Sequence, residues 1–273
     1  MSDFKLILSR KGLDSSNSNK PSPIWEDGTL ISLPISSEDV AYYHDYVYHG
    51  YLYDEIINSL GISLWHKEKR CQQPYHCHCD PDIYDSNKVS IIQGWQASFG
   101  QHGAAQLHLE KQEVNVGDIF LFFGWFRQTE IIDGKVKYLS ESQDQHIIYG
   151  YMQIGEILTK PEDIKQFYWH PHAQDKFLNE KNNVLYLPSK TLFNTNLPGY
   201  GTFKYSSELV LTKEGYSRSQ WELPKVLQNS DFTYHSDASK KADYFQSARI
   251  GQEFVTLGND EIKQWIIDLV ETH

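Results

Sequence analysis

The chain has 273 residues, a formal net charge of -11 and a 14% aromatic share that includes 18 Tyr and 7 Trp. The acidic balance argues against a protein that binds duplex DNA by itself, because phosphate neutralisation needs a basic face. No apolar run reaches membrane-spanning length, and three cysteines crowded at 71, 77 and 79 with no signal peptide point to a soluble cytoplasmic protein without a disulfide scaffold.

Residues 4–8 form a short apolar run, predicted to be a buried strand. It breaks into Ser9-Arg10-Lys11-Gly12-Leu13-Asp14-Ser15-Ser16, a loop dense in donors that suits either an anion cradle or a solvated turn. The Gly-Lys-Ser/Thr ending of a Walker loop is missing. Turns at Pro21-Ser22-Pro23 and Asp27-Gly28 precede a second predicted strand over 30–34. A helix start is expected at Ser36-Ser37-Glu38-Asp39, and a helix over 54–60 with Gly61 as its cap. Further strands are predicted over 89–93, 119–127 and 146–156, the last two separated by a hairpin through Asp133-Gly134. Weaker strand patterns lie at 184–187, 208–212 and 254–257. Helices are predicted over 101–112 and 260–270, the latter with Asn259 as cap. No linker forces a boundary, so residues 1–273 read as one domain. Many strands with few helices make it β-rich α+β, with a mixed or barrel-like sheet.

The stretch 75–108 concentrates groups able to bind metal or shuttle protons. If extended, it points His76, His78 and Asp80 to one face and Cys77 and Cys79 to the other. In the helix expected over 101–112, Gln101, His108 and Gln112 share a face. His78 and Asp80 with His108 or His235 would make a two-His-one-carboxylate set for iron, and the same ligands suit zinc or manganese. Metal-free chemistry is the alternative: Asp14, Asp80 or Asp82 accepts a proton, His108 returns one, and Arg10, Arg127 and Arg218 hold phosphate or carboxylate. Ser9, Lys11, Ser219, Gln252 and Glu253 are further substrate-binding positions. In a third reading the chain is a non-catalytic module, with Trp95, Trp125, Tyr149 and Trp221 stacking on a base. His170-Pro171-His172 reads as a structural turn.

Several of these segments together resemble the nucleotide modification associated domain of the third type. They are residues 8–16 with Pro21-Ser22-Pro23-Ile24, Asp80-Pro81-Asp82-Ile83, Gly100-Gln101-His102-Gly103-Ala104-Ala105-Gln106-Leu107-His108, and Gly117-Asp118 through Arg127. Ser217-Arg218-Ser219-Gln220-Trp221-Glu222-Leu223-Pro224 and Gly251-Gln252-Glu253-Phe254 complete the set. The likeness runs over nearly the whole chain and departs at Cys79, where a hydrophobic residue is expected; the cysteine reads as a small apolar filler. It implies a nucleotide or nucleobase substrate and a place among bacterial or phage base-modification proteins. A fainter likeness, carried by Gly117-Asp118 and Tyr149-Gly150-Tyr151, is to paired strands of PUA-like barrels, including EVE-type readers of modified bases.

Overall fold

The computed structural model describes residues 4–249 and 251–273. Nine strands form one sheet: β1 (Lys5–Arg10), β2 (Ser22–Ile24), β3 (Phe99–Gln101), β4 (Ile119–Ile132), β5 (Lys135–Tyr138), β6 (Gln145–Leu158), β7 (Val184–Pro188), β8 (Tyr200–Thr202) and β9 (Glu253–Leu257). The longer helices are α1 (Tyr53–Leu60), α2 (Gly103–Lys111) and α3 (Asp260–Thr272).

β4 is the spine. Its first eight residues, all apolar or glycine, are buried, the mark of a strand covered on both faces. β1 runs parallel to it with Leu6 opposite Ile119, and β2 takes over the same edge opposite Phe126. On the other edge β6 is antiparallel, and β5 folds back through the Asp133-Gly134 turn. The main path is β9-β1-β4-β6-β7-β3. The register slips between Phe122 and Phe123, and again between Ile154 and Glu156. Such irregularities bend a strand and raise its twist. The mixed sheet accordingly curls into a half-barrel. Its two edge strands meet through a side-chain bond, Gln101 Nε2 donating to Glu253 Oε1 at 2.7 Å.

Inside the curl the phenylalanines pack edge to face, with Phe99 4.9 Å from Phe120 and 5.3 Å from Phe122. α3 covers part of this core with Ile262, Ile266 and Leu269, and Asn259 Oδ1 caps it by accepting from Ile262 N. A second cluster is built by residues between 13 and 77 together with Val136. There α1 buries Ile56, Ile57 and Leu60 against Tyr43, Cys77 and Val136 of β5, and Gly61 ends the helix at φ 60.

Tertiary pairing overrides several local expectations. Ser36 joins a two-residue ladder, Ile35–Ser36 with Cys77–His78, so no helix starts there; Ser37 Oγ instead accepts from Asp39 N. Residues 30–34 bury Leu30 and Leu33 but make only a single bridge, and Pro34 has no amide to extend it. The 89–93 run is not a strand: Val89 and Ile91 are 54% and 101% exposed, and no strand among the described residues pairs with them. Residues 208–212 form a 3-10 turn that Ser206 initiates, followed by isolated bridges. The helix expected over 101–112 begins at Gly103, because Gln101 belongs to β3. Gln101 and His108 therefore do not share a helical face.

His146, buried on β6, lies against Phe123 and Trp221, and its Nδ1 accepts from Trp221 Nε1 at 3.1 Å. Burial, aided by the charges of Arg10 and Arg218, holds its pKa well below the ordinary value. The unfolded chain protonates this imidazole near pH 6.5 while the folded chain does not, so its contribution is present above that pH and lost as pH falls. Between pH 6 and 5, His146→Gln is expected to reduce the acid-side slope of unfolding free energy, at most by about 1.4 kcal/mol per pH unit. Urea titrations across that range check it. An unchanged slope would show that His146 does not contribute.

Candidate active site

Where the two edges of the sheet come together, a cleft of about 320 Å3 opens toward the segment 35–80. Arg10, Lys11, Asp14, Gln101 and Gln252 line it from the sheet side, and Trp65, His66, His78 and Asp80 from the other. The volume lies at the lower end of the range for small-molecule sites.

Asp80 is the centre of its floor. Its Oδ1 accepts from Gly100 N at 2.9 Å and faces His170 Nε2 at 3.4 Å. Its Oδ2 faces His78 Nε2 at 3.7 Å and His172 Nε2 at 3.6 Å. The backs of both rings are held: His78 Nδ1 bonds Asp39 Oδ2, and His172 Nδ1 bonds Asn183 Oδ1, each at 2.6 Å. The Lys176 ammonium pairs with the other oxygen of Asp39, and Phe177 stacks on His172 with centroids 4.7 Å apart. Gly100 is required here, since a Cβ would lie 2.2 Å from the His172 ring.

The electrostatics follow from this crowding. Burial would raise the Asp80 carboxyl, but the His170, His78 and His172 imidazoles around it hold it far below the usual carboxylate range. Asp39 is likewise opposed by burial yet held to about 2 by His78 and Lys176. Burial works against the His78 imidazolium, and Asp39 and Asp80 outweigh it, raising the pKa to about 9. His172 falls to about 3, chiefly through burial.

Several sequence-predicted residues meet in this cleft: Arg10, Lys11, Asp14, Gln101 and Gln252 with His78 and Asp80. Lys11 is already committed, its ammonium 2.8 Å from Glu253 Oε1 and 4.4 Å from the centre of the Phe99 ring. Glu253, 1% exposed, joins Lys11 to Gln101 and so closes the sheet. The Arg10 guanidinium donates to the carbonyls of Ala248 and Arg249, and its buried Nε has no partner among the described residues. Arg218 lies 3.8 Å over the Trp125 ring; burial lowers the pKa of the Arg10 guanidinium, the Asp14 carboxylate opposes that shift, and the Arg218 charge adds to it. The Asp14 carboxylate accepts from Ser16 and Asn17, shaping its own loop.

Other predicted residues lie elsewhere. His108 does not join His78 and Asp80; its Nε2 is 3.0 Å from Thr233 Oγ1 and its ring packs on Tyr234. Both ring nitrogens of His235 are used, by Thr233 O and Ala248 N. Asp82 is a buried anchor for Lys88 and Trp95. Arg127 fastens the far end of β4 through Asp144, Ser142 and the 139–140 carbonyls. The Ser219 backbone holds Ser247 and Gln246, and Ser9 is fully buried opposite Glu253. Trp125 and Trp221 are buried, and Tyr149 lines a separate internal cavity beside Cys79 and Asp82. His76 turns away to the Asp39 carbonyl, and Cys77 is buried in the second core.

What sequence reasoning missed is the 170–183 segment. The His170-Pro171-His172 turn is a turn, but both rings face Asp80 rather than packing inertly. The paired histidines were the available signal. Nothing local marks Asp39, Lys176 or Asn183.

The family model described as nucleotide modification associated domain 3 matches residues 5–257. No curated protein and no solved structure matches the chain, so the likeness to PUA-like barrels rests on strand pattern alone.

The edge closure gives a direct test. Glu253→Ala strands a buried ammonium and should destabilise the fold by about 3–5 kcal/mol in urea unfolding. Lys11→Met combined with Glu253→Gln removes both charges and should recover most of that loss. A single-variant effect below about 1 kcal/mol, the range of exposed pairs, would contradict the closure role.

Proposed function

The chain belongs to the nucleotide modification associated domain 3 family, and from that premise we propose that it is a nucleotide- or nucleobase-modifying enzyme working in this cleft. One observation carries the reading: an arginine with no salt bridge among the described residues shares the cleft with a buried carboxylate ringed by imidazoles. A guanidinium so placed suits the phosphate of a nucleotide, with Arg218 adding a second charge nearby. Asp80 and its histidines then face the base or sugar end, where proton transfer is needed. Trp65, on the cleft wall, offers a face for stacking. The alternative of a base-sandwiching reader is weakened by the burial of Trp125 and Trp221.

Calorimetry with free bases, nucleosides and 5′-mononucleotides tests the reading. Mononucleotides should bind best, and Arg10→Ala should weaken them by roughly 10–100-fold, the worth of a hydrogen bond to a charged group, while leaving nucleosides unchanged. Asp80→Asn should retain binding and lose turnover of the bound nucleotide. Equal affinity for nucleosides and nucleotides would remove the phosphate assignment. Tight binding with no conversion by the parent protein would favour a non-catalytic module.

A further inference from the structure

We propose that His78, Asp80 and His172 hold a divalent transition-metal ion on the floor of the cleft. The inference rests on the proposed function for the use of the ion, but not for its binding.

The three side chains are spaced as ligands of a single ion would be. The His78 and His172 Nε2 atoms lie 3.7 and 3.6 Å from Asp80 Oδ2. Those separations are too long for hydrogen bonds. They are close to the roughly 3.4 Å expected between two ligands at about 2.1 Å from a tetrahedral ion. All three ligand atoms fall within 4.8 Å of one another.

The surrounding hydrogen bonds decide which atoms face inward. Asn183 donates its amide to the His172 carbonyl at 3.0 Å, so its oxygen points at His172 Nδ1. That Nδ1 must therefore be the donor, and Nε2 presents a lone pair. The Asp39 carboxylate, an acceptor only, takes the His78 Nδ1 proton, so Nε2 is the nitrogen turned toward Asp80, and an ion binding there displaces its proton. A carboxylate or amide oxygen behind each ligating imidazole is the arrangement that orients metal-bound histidines and raises their basicity. Asp80 is prepared in parallel: Gly100 N occupies Oδ1, leaving Oδ2 for the ion.

His170 is the internal contrast. Its Nδ1 accepts from the His172 backbone amide, so it carries its proton on Nε2 and faces Asp80 Oδ1 as a positioning residue rather than a ligand. Two imidazoles and one carboxylate suit zinc, iron(II), manganese(II) or cobalt(II), and do not match the all-oxygen sites of calcium or magnesium. Three protein ligands leave coordination positions toward the cleft, as catalytic rather than structural sites do. The sequence-based set that included His108 is replaced by one that includes His172.

The full-length protein, stripped by chelator and dialysed, should be reloaded in turn with Zn(II), Mn(II), Co(II) and anaerobic Fe(II), then analysed for metal content and cobalt absorption. One ion per chain is expected for at least one of them, with a raised melting temperature. His172→Ala should lose the ion, Asn183→Ala should weaken it 10–100-fold, and His108→Ala should keep full stoichiometry. Circular dichroism establishes that each variant is folded, and His172→Gln serves if the alanine variant is not. Absence of stoichiometric binding for all four ions in folded protein would overturn the proposal. So would retention of the ion by a folded His172 variant. Metal binding without nucleotide binding would leave this inference standing and remove the function proposed above; the reverse result would do the opposite.

Discussion

One buried carboxylate fastens the two edges of the sheet to each other. Glu253 sits at the start of edge strand β9, and its Oε1 takes both the Lys11 ammonium and the Gln101 amide. Gln101 belongs to the opposite edge strand, so the contact joins the two ends of a six-strand path. An open sheet edge is a row of unpaired backbone groups, and proteins blunt such edges by covering or pairing them. Here the curl brings the edges together without closing a hydrogen-bonded barrel. A charged contact of this kind is costly to bury and strongly destabilising to break, which makes the geometry around it nearly all-or-none.

The cleft is a by-product of that closure. Lys11 follows β1, so fastening it to Glu253 also sets the neighbouring Arg10, whose backbone amide donates to the Gln252 carbonyl at 2.8 Å. On the other side Gln101 is one residue from Gly100, whose amide holds Asp80. The cationic rim and the carboxylate floor are thus tied to the same seam. The bulged, 14-residue strands β4 and β6 supply the curvature that lets residues 152 positions apart in sequence meet.

Charge is distributed against the bulk average. The chain is acidic overall, yet Arg10 and Arg218 have no salt bridges among the described residues while Lys11 and Lys88 are each neutralised by a buried carboxylate. Net charge therefore says little about what this cleft attracts. At its floor the imbalance is of another kind: one carboxylate oxygen and two imidazole nitrogens converge without a hydrogen bond between them.

Sequence patterns determined the strands whose hydrophobic residues are continuous, as in β4 and β6, and the α1 and α3 helices with their Gly61 and Asn259 termini. Burial on both faces and end-capping are local properties, and they can be read locally. The likeness carried by residues spread from the first strand to Phe254 also gave the family. It led to Arg10, Gln101, Gln252, His78 and Asp80, which do share one cleft. Only the tertiary structure decided that Lys11 and Glu253 are fasteners, that Asp82 anchors Lys88, and that His108 faces Thr233. It also brought Asp39, His172 and Asn183 to Asp80 across 41, 92 and 103 positions of chain. No periodicity reaches so far, because those partners are selected by how a sheet curls and which edges it closes.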